Sequence, residues 1–207
     1  MLARALGLLY IDTGAMYRAV ALAVEEAGVS TTDAAAVAAV AERARIALAG
    51  DPDLLQVTLD GRDVTREIRT ERVGHTASII SAIPEVRREM VRRQREMGAY
   101  GGVVLDGRDI GTVVFPDADL KFFLTAVPEE RARRRFDEER RHESELTFEE
   151  TLAEINARDQ RDASRADSPL AIADDAIVID TTELSIKEVF SRMMEAIRAR
   201  QSLNRKT

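Results

Sequence analysis

Gly102-Val103-Val104-Leu105-Asp106-Gly107-Arg108-Asp109-Ile110-Gly111-Thr112 reads as a short apolar strand running straight into a loop that carries Asp, Gly, Arg and Asp. In an open α/β sheet, ligands bind in the crevice beyond the carboxyl ends of the strands, so a charged loop at that place is a candidate site. The tetrapeptide alone proves little, because the chain holds it twice, at 60–63 and at 106–109. Context separates the copies. Asp60-Gly61 follows a strand at 55–59, and Val64 resumes after it, a strong hairpin-turn signal. The first copy is therefore assigned to a turn with no site attached, and the second to a strand end.

Outward from that strand, single strands alternate with helices, the pattern of a parallel sheet covered on both faces. Upstream, residues 2–7 read as a helix end stopped by Gly7, and 8–11 as a short buried strand. Thr13 is expected to cap the next helix, whose inner face carries Met16, Val20, Ala23 and Val24 and whose second turn carries Arg18. Thr32 caps another helix to about 45, and strands at 46–49 and 55–59 then interrupt the alternation. They define a small antiparallel insert at 44–68, with a core formed by 1–43 and 69–207. A helix over 70–82 carries His75 and Ser78, and Pro84 opens a helix with Val86, Met90, Val91 and Met97 inward.

Downstream, 120–124 is expected as a second buried strand and 176–180 as a last apolar one. Pro128 begins a helix, and Thr147 with Glu150, like Ser185 with Glu188, has capping-box spacing. The final helix is expected to bury Ile186, Val189, Phe190, Met193 and Ile197. Arg158, Asp162 and Arg165, at i, i+4 and i+7, share one face of a helix, with Arg161 beside it.

Composition narrows the function classes. A chain of 207 residues suits one α/β domain with a small insertion. No apolar run approaches the ~20 residues of a membrane span, and the first residues lack the apolar core of a secretory signal. The chain has no cysteine, which excludes disulfides and thiolate zinc sites, so the cytoplasm is the expected location. A net charge of −7 with 4% aromatic residues argues against a nucleic-acid partner. The arginine tracts at 87–95 and 131–141 read as solvated helix faces with nearby Glu partners. The two histidines, His75 and His142, support neither a metal site nor a serine–histidine pair.

What remains is a set of arginines placed after strand ends or along one helix face: Arg18, Arg108 with Asp109, and Arg158, Arg161 and Arg165. Guanidinium forks grip phosphate oxygens bidentately and stay charged, so the set suits a multiply charged phosphate substrate. Phosphoryl transfer relies mainly on positioning and charge stabilisation and requires no histidine or cysteine nucleophile.

The longer stretches are more specific. Asp12-Thr13-Gly14-Ala15-Met16-Tyr17-Arg18, Glu67-Ile68-Arg69-Thr70, Pro84-Glu85-Val86-Arg87, the run from Asp106 through Ala118, and Arg158-Asp159-Gln160-Arg161-Asp162-Ala163-Ser164-Arg165 resemble bacterial cytidylate kinases, in the family's order and over essentially the whole chain. The resemblance implies a three-layer, P-loop-kinase-like parallel sheet with helices on both faces, and transfer of a phosphoryl group from ATP, with Mg²⁺, to CMP or dCMP. It implies that Arg18, Arg108 and Arg165 hold the monophosphate and that Ser78, Arg87 and Asp109 read the cytosine edge. Arg158 and Asp162 would contact the ribose, and Arg161 would lie near the phosphates in transfer. Asp106 would sit near the magnesium and the transferred group, and Thr13 falls among the substrate-binding residues. A monomer, with no nucleic-acid or membrane partner, is expected.

One family feature is missing from the sequence. No Gly-x-x-x-x-Gly-Lys-Ser/Thr loop occurs, and none of the three lysines, Lys121, Lys187 and Lys206, follows a glycine. The expectation is a chain that begins too late, through a misassigned start or a fragment, and that is a poor kinase as written. Two alternatives stand beside the enzyme: a non-catalytic nucleotide-binding remnant, and an interaction module whose arginines only form solvated ion pairs.

Overall fold

The computed structural model describes residues 1–52, 54–140, 146–164 and 170–204. The chain divides into two compact units, Met1–Phe115 and Pro116–Thr207.

In the first unit, helix α1 (Leu2–Leu6) ends at Gly7, whose φ of 67° lets its N–H turn back to the Ala3 and Arg4 carbonyls. Strand β1 (Leu9–Asp12) follows and leads directly into α2 (Thr13–Glu26). Asp12 caps α2 by accepting from the Ala15 N–H at 2.8 Å, so the expected cap, Thr13, is already helical. A carboxylate is the stronger acceptor for the positive end of a helix, and Thr13 turns its hydroxyl elsewhere. The same correction applies to α3 (Ala34–Arg43), capped by Asp33 on the Ala36 N–H and not by Thr32. Strands β2 (Ile46–Ala49), β3 (Gln56–Leu59) and β4 (Arg62–Asp63) form the antiparallel sheet. Its Asp60-Gly61 turn has φ of 52° and 86°, the doubly positive geometry of a tight hairpin.

A short 3₁₀ turn, Glu67–Arg69, leads to α4 (Glu71–Ile80), and α5 (Pro84–Met97) precedes β5 (Val103–Asp106). Strands β1 and β5 pair in parallel, with Asp12 in register with Asp106. Helix α2 is the centre of this unit: Ala19, Val20, Ala21 and Val24 are fully buried around most of its circumference. Val57, Leu59 and Val64 of the antiparallel sheet and its margin join the same cluster as Val73, Ile80, Val86 and Met90. This shared core fixes the hairpins and helices of the unit around the end of β1.

The second unit contains β6 (Phe122–Thr125), α6 (Pro128–Arg140), α7 (Phe148–Ser164), β7 (Ile177–Asp180) and α8 (Ile186–Asn204), with β6 and β7 parallel. Both capping boxes form: Thr147 and Glu150, and Ser185 and Glu188, exchange side-chain-to-backbone bonds. Three expectations are corrected. The strand expected at 120–124 starts two residues later, because Lys121 is buried with its ammonium on the Pro116 carbonyl and the Asp175 carboxylate. Strand β6 is not the buried strand expected: Leu124, like Val178 on its partner β7, is about half exposed. Ile186, at the first turn of α8, faces solvent, while Val189, Phe190, Met193 and Ile197 are half-buried. Among the described residues, no helix is long and apolar enough to cross a membrane.

Candidate functional site

The parallel pairing of β1 with β5 brings two chain segments to one strand end. Because register partners share a face, Tyr10 and Asp12 stand on the same side as Val104 and Asp106. The Tyr10 phenol hydrogen-bonds the Asp106 carboxylate, and the Thr13 hydroxyl donates to the Asp106 carbonyl at 2.6 Å. Gly107 permits this closeness: a Cβ there would collide with Thr13 Oγ1 and lie 2.8 Å from Ile110 Cδ1. The Asp106 carboxyl is pushed up to about 6, first because surrounding protein strips part of its hydration and then by the Asp12 carboxylate. Its side chain still reaches solvent, and the Tyr10 hydrogen bond and the Arg108 charge pull in the other direction. Tyr10 itself is pushed above the ordinary tyrosine range by burial and by the two carboxylates. Tyr10 escaped the reading of the sequence, although its place two residues before Asp12 on a strand put it on the same face.

Past Gly107 the backbone winds into a π turn at Ile110–Val114, closed by the Val113 and Val114 N–H groups on the Asp109 carbonyl and by Phe115 on Ile110. Single π turns recur at functional sites, and the strand-then-loop reading did not foresee this one. Asp109, just before the turn, is buried and ion-paired with Arg87 of α5. Arg87 Nη1 donates to the Ser81 carbonyl at 3.2 Å, and the Ser81 hydroxyl donates to the Ser78 carbonyl at 2.9 Å. The structure thus ties Ser78, Arg87 and Asp109 into one connected chain, with Ser81 as a link that the sequence did not flag. Arg87 is therefore no solvated helix-face arginine, which corrects the reading of the 87–95 tract.

Arg18, in the second turn of α2, donates to the Ile68 carbonyl at 3.1 Å and lies against Gly74 of α4, where a Cβ would stand 2.8 Å from Nη1. It is thereby held by the segment that closes the antiparallel sheet. Arg108 is exposed beside Asp106.

In the second unit, α7 carries Arg158, Arg161 and Asp162. Asp162 is almost fully buried, its carboxylate 3.9 Å from Arg158 Nε and its carbonyl accepting from the Leu170 N–H at 2.9 Å. Arg161 is exposed, and Asp159 pairs with Arg131 of α6 at 2.7 Å. Arg165 and His142 lie outside the described residues.

A family model described as cytidylate kinase matches residues 1–199. Curated relatives with that name include proteins from Geobacter sp. strain M21, 48% identical over 200 residues (97% of this chain and 86% of the relative), and from Caldanaerobacter subterraneus subsp. tengcongensis, 50% identical over 197 residues (95% and 86%). A third, from Bacillus pumilus, is 50% identical over 188 residues (91% and 84%). Similarity at this level over nearly the whole chain carries the enzyme class with it: a phosphotransferase of the nucleoside monophosphate kinase kind. The chain belongs to the cytidylate kinase family.

Proposed function

We propose that the chain transfers the γ-phosphoryl group of ATP to CMP or dCMP, giving CDP or dCDP, as a step of pyrimidine nucleotide metabolism. The observation that carries this reading is the enclosed Arg87–Asp109 pair. Arg87 Nε is buried without a hydrogen-bond partner, and the Asp109 carboxylate lies beside the same guanidinium. A donor and an acceptor side by side in a dry setting complement a base edge that offers both kinds of group. Such a site can reject a wrong base by as much as ~10⁴-fold, since a mismatch leaves buried partners unpaired.

On this reading Arg18 and Arg108, with Arg165, hold the acceptor phosphate, and residues 44–68 form the insert of the monophosphate-binding region. Ser78 joins Arg87 and Asp109 on the base, Arg158 and Asp162 contact the ribose, and Thr13 keeps the Asp106 carbonyl, and so the loop, in place. In the reaction an oxygen of the CMP phosphate attacks the γ-phosphorus of ATP. The bond to the β–γ bridging oxygen breaks, and ADP leaves with that electron pair. Arg108 and Arg161 offset the charge that spreads over the transferred group. Two carboxylates in register, Asp12 and Asp106, would hold a hydrated Mg²⁺. Magnesium brought by ATP supplies neutralisation of phosphate charge.

The test is incubation with γ-labelled ATP, Mg²⁺ and, separately, CMP, dCMP, UMP and AMP. Labelled CDP and dCDP are expected, formed slowly because the chain carries no Gly-x-x-x-x-Gly-Lys loop to cradle the ATP phosphates. CMP binding without label transfer favours the non-catalytic nucleotide-binding reading, and neither binding nor transfer leaves an interaction module.

A further inference from the structure

Helix α5 meets the segment after Asp106 at both ends. At the near end Arg87 holds the Asp109 carboxylate. At the far end Arg95 donates from Nε to the Val114 carbonyl at 3.0 Å and from Nη2 to the Val113 carbonyl at 2.7 Å. Just beyond, Gly98 lies flush against Phe115, since a Cβ at 98 would come within 2.6 Å of the ring. Two arginines of the same tract behave differently: Arg88 pairs with Glu85, and Arg92 with Glu89 and Glu96. Arg95 instead spends its guanidinium on backbone oxygens. Those oxygens end a helical turn, where carbonyls lack partners within the turn and carry partial negative charge, so a cationic fork suits them.

The turn's own closure runs back to the same loop residue. The Val113 and Val114 N–H groups both bond the Asp109 carbonyl, at 2.9 and 3.3 Å. Asp109 is therefore gripped twice, by its side chain through Arg87 and by its backbone through a turn whose last carbonyls Arg95 holds.

We propose that Arg95 is a positioning residue for the acceptor loop, keeping the π turn wound so that Arg108 and Asp109 present their side chains in one fixed arrangement. It touches no substrate and acts through the turn. The proposal rests on the assignment of Arg108 and Asp109 to the acceptor site.

Two variants test it. Arg95→Met keeps the length and removes every donor, and Arg95→Gln retains an amide donor. The readouts are amide hydrogen exchange at residues 113–115 and calorimetric titration with CMP. In Arg95→Met, exchange at those amides should speed about tenfold while the cores of α2 and α4 keep wild-type protection, and the Kd for CMP should rise about tenfold, the scale of one lost charge-assisted hydrogen bond. Arg95→Gln should recover most of both effects. Wild-type exchange in Arg95→Met, faster exchange with unchanged CMP affinity, or failure of Arg95→Gln to recover either readout would overturn the proposal. If the unsubstituted chain does not take up CMP, the acceptor-site assignment itself fails and the functional half falls with it. The exchange arm still decides whether Arg95 holds the turn.

Discussion

Arg87 and Asp109 form an ion pair enclosed within the first unit, with 4% and 9% of their side chains exposed. Arg87 is further fixed by the Ser81 carbonyl, and its Nε is left without a partner. Removing one member of such a pair strands the other charge in a setting that water does not reach. Asp109→Ala should therefore destabilise the chain by about 3 kcal/mol or more, read from the urea unfolding midpoint. Asp109→Asn keeps an acceptor and should cost less, while still weakening CMP binding. A midpoint unchanged in Asp109→Ala would show that the pair is not enclosed in solution.

Gly107 lies tight against two side chains, Thr13 and Ile110. An added methyl would strike Thr13 Oγ1 and the Ile110 side chain, and Thr13 is committed to the Asp106 carbonyl at 2.6 Å. Gly107→Ala should cost about 1–3 kcal/mol as an overpacked contact and lower CMP affinity by displacing the loop. The variant's thermal midpoint and CMP titration check both; wild-type values would mean that the loop yields freely.

The carboxyl of Asp106 gives stability a particular pH dependence. Its folded value of about 6 lies above the ordinary 3.8, so between those values the folded chain binds a proton that the unfolded chain has released. That contribution is greatest below pH 4, declines as pH rises to about 6, and is flat beyond. Asp60, Glu89 and Glu150, held below their ordinary values by hydrogen bonds, act with the opposite sign at lower pH. The informative quantity is thus the difference between wild type and Asp106→Asn. With EDTA present, the thermal midpoint of wild type relative to the variant should fall from pH 4 to 6. A constant difference would contradict the account.

Local chemistry was legible in the sequence and tertiary choices were not. The Asp60-Gly61 hairpin and both capping boxes follow from groups a few residues apart, and they form as read. The parallel strand ending at Asp106 was likewise visible in its apolar run. The partner of each arginine was not, because it depends on elements far away in the chain. Arg93, expected on a solvated face, donates to the Ala41 carbonyl at 2.9 Å and to the Glu42 carbonyl at 3.0 Å, closing the end of α3. Arg87 and Arg95 similarly reach across to the loop after β5. Tyr10 joined the site only once register placed it beside Asp106. Asp12 and Asp33 outcompeted the threonines beside them as caps, a choice that composition leaves open because both residue types can do it.

The two copies of Asp-Gly-Arg-Asp allow the most direct measurement. Arg62 of the first copy bridges Glu26 and Glu67 at the surface, while Arg108 of the second stands beside Asp106 at the end of β5. Calorimetric titration with CMP should show saturable one-to-one binding to the wild-type chain, lost or weakened at least ~100-fold in Arg108→Ala by removal of a charged phosphate contact. Arg62→Ala should bind within about threefold of wild type, as expected for loss of a surface ion pair. Absence of CMP binding to the wild-type chain, or equal losses in the two variants, would contradict the acceptor site described here.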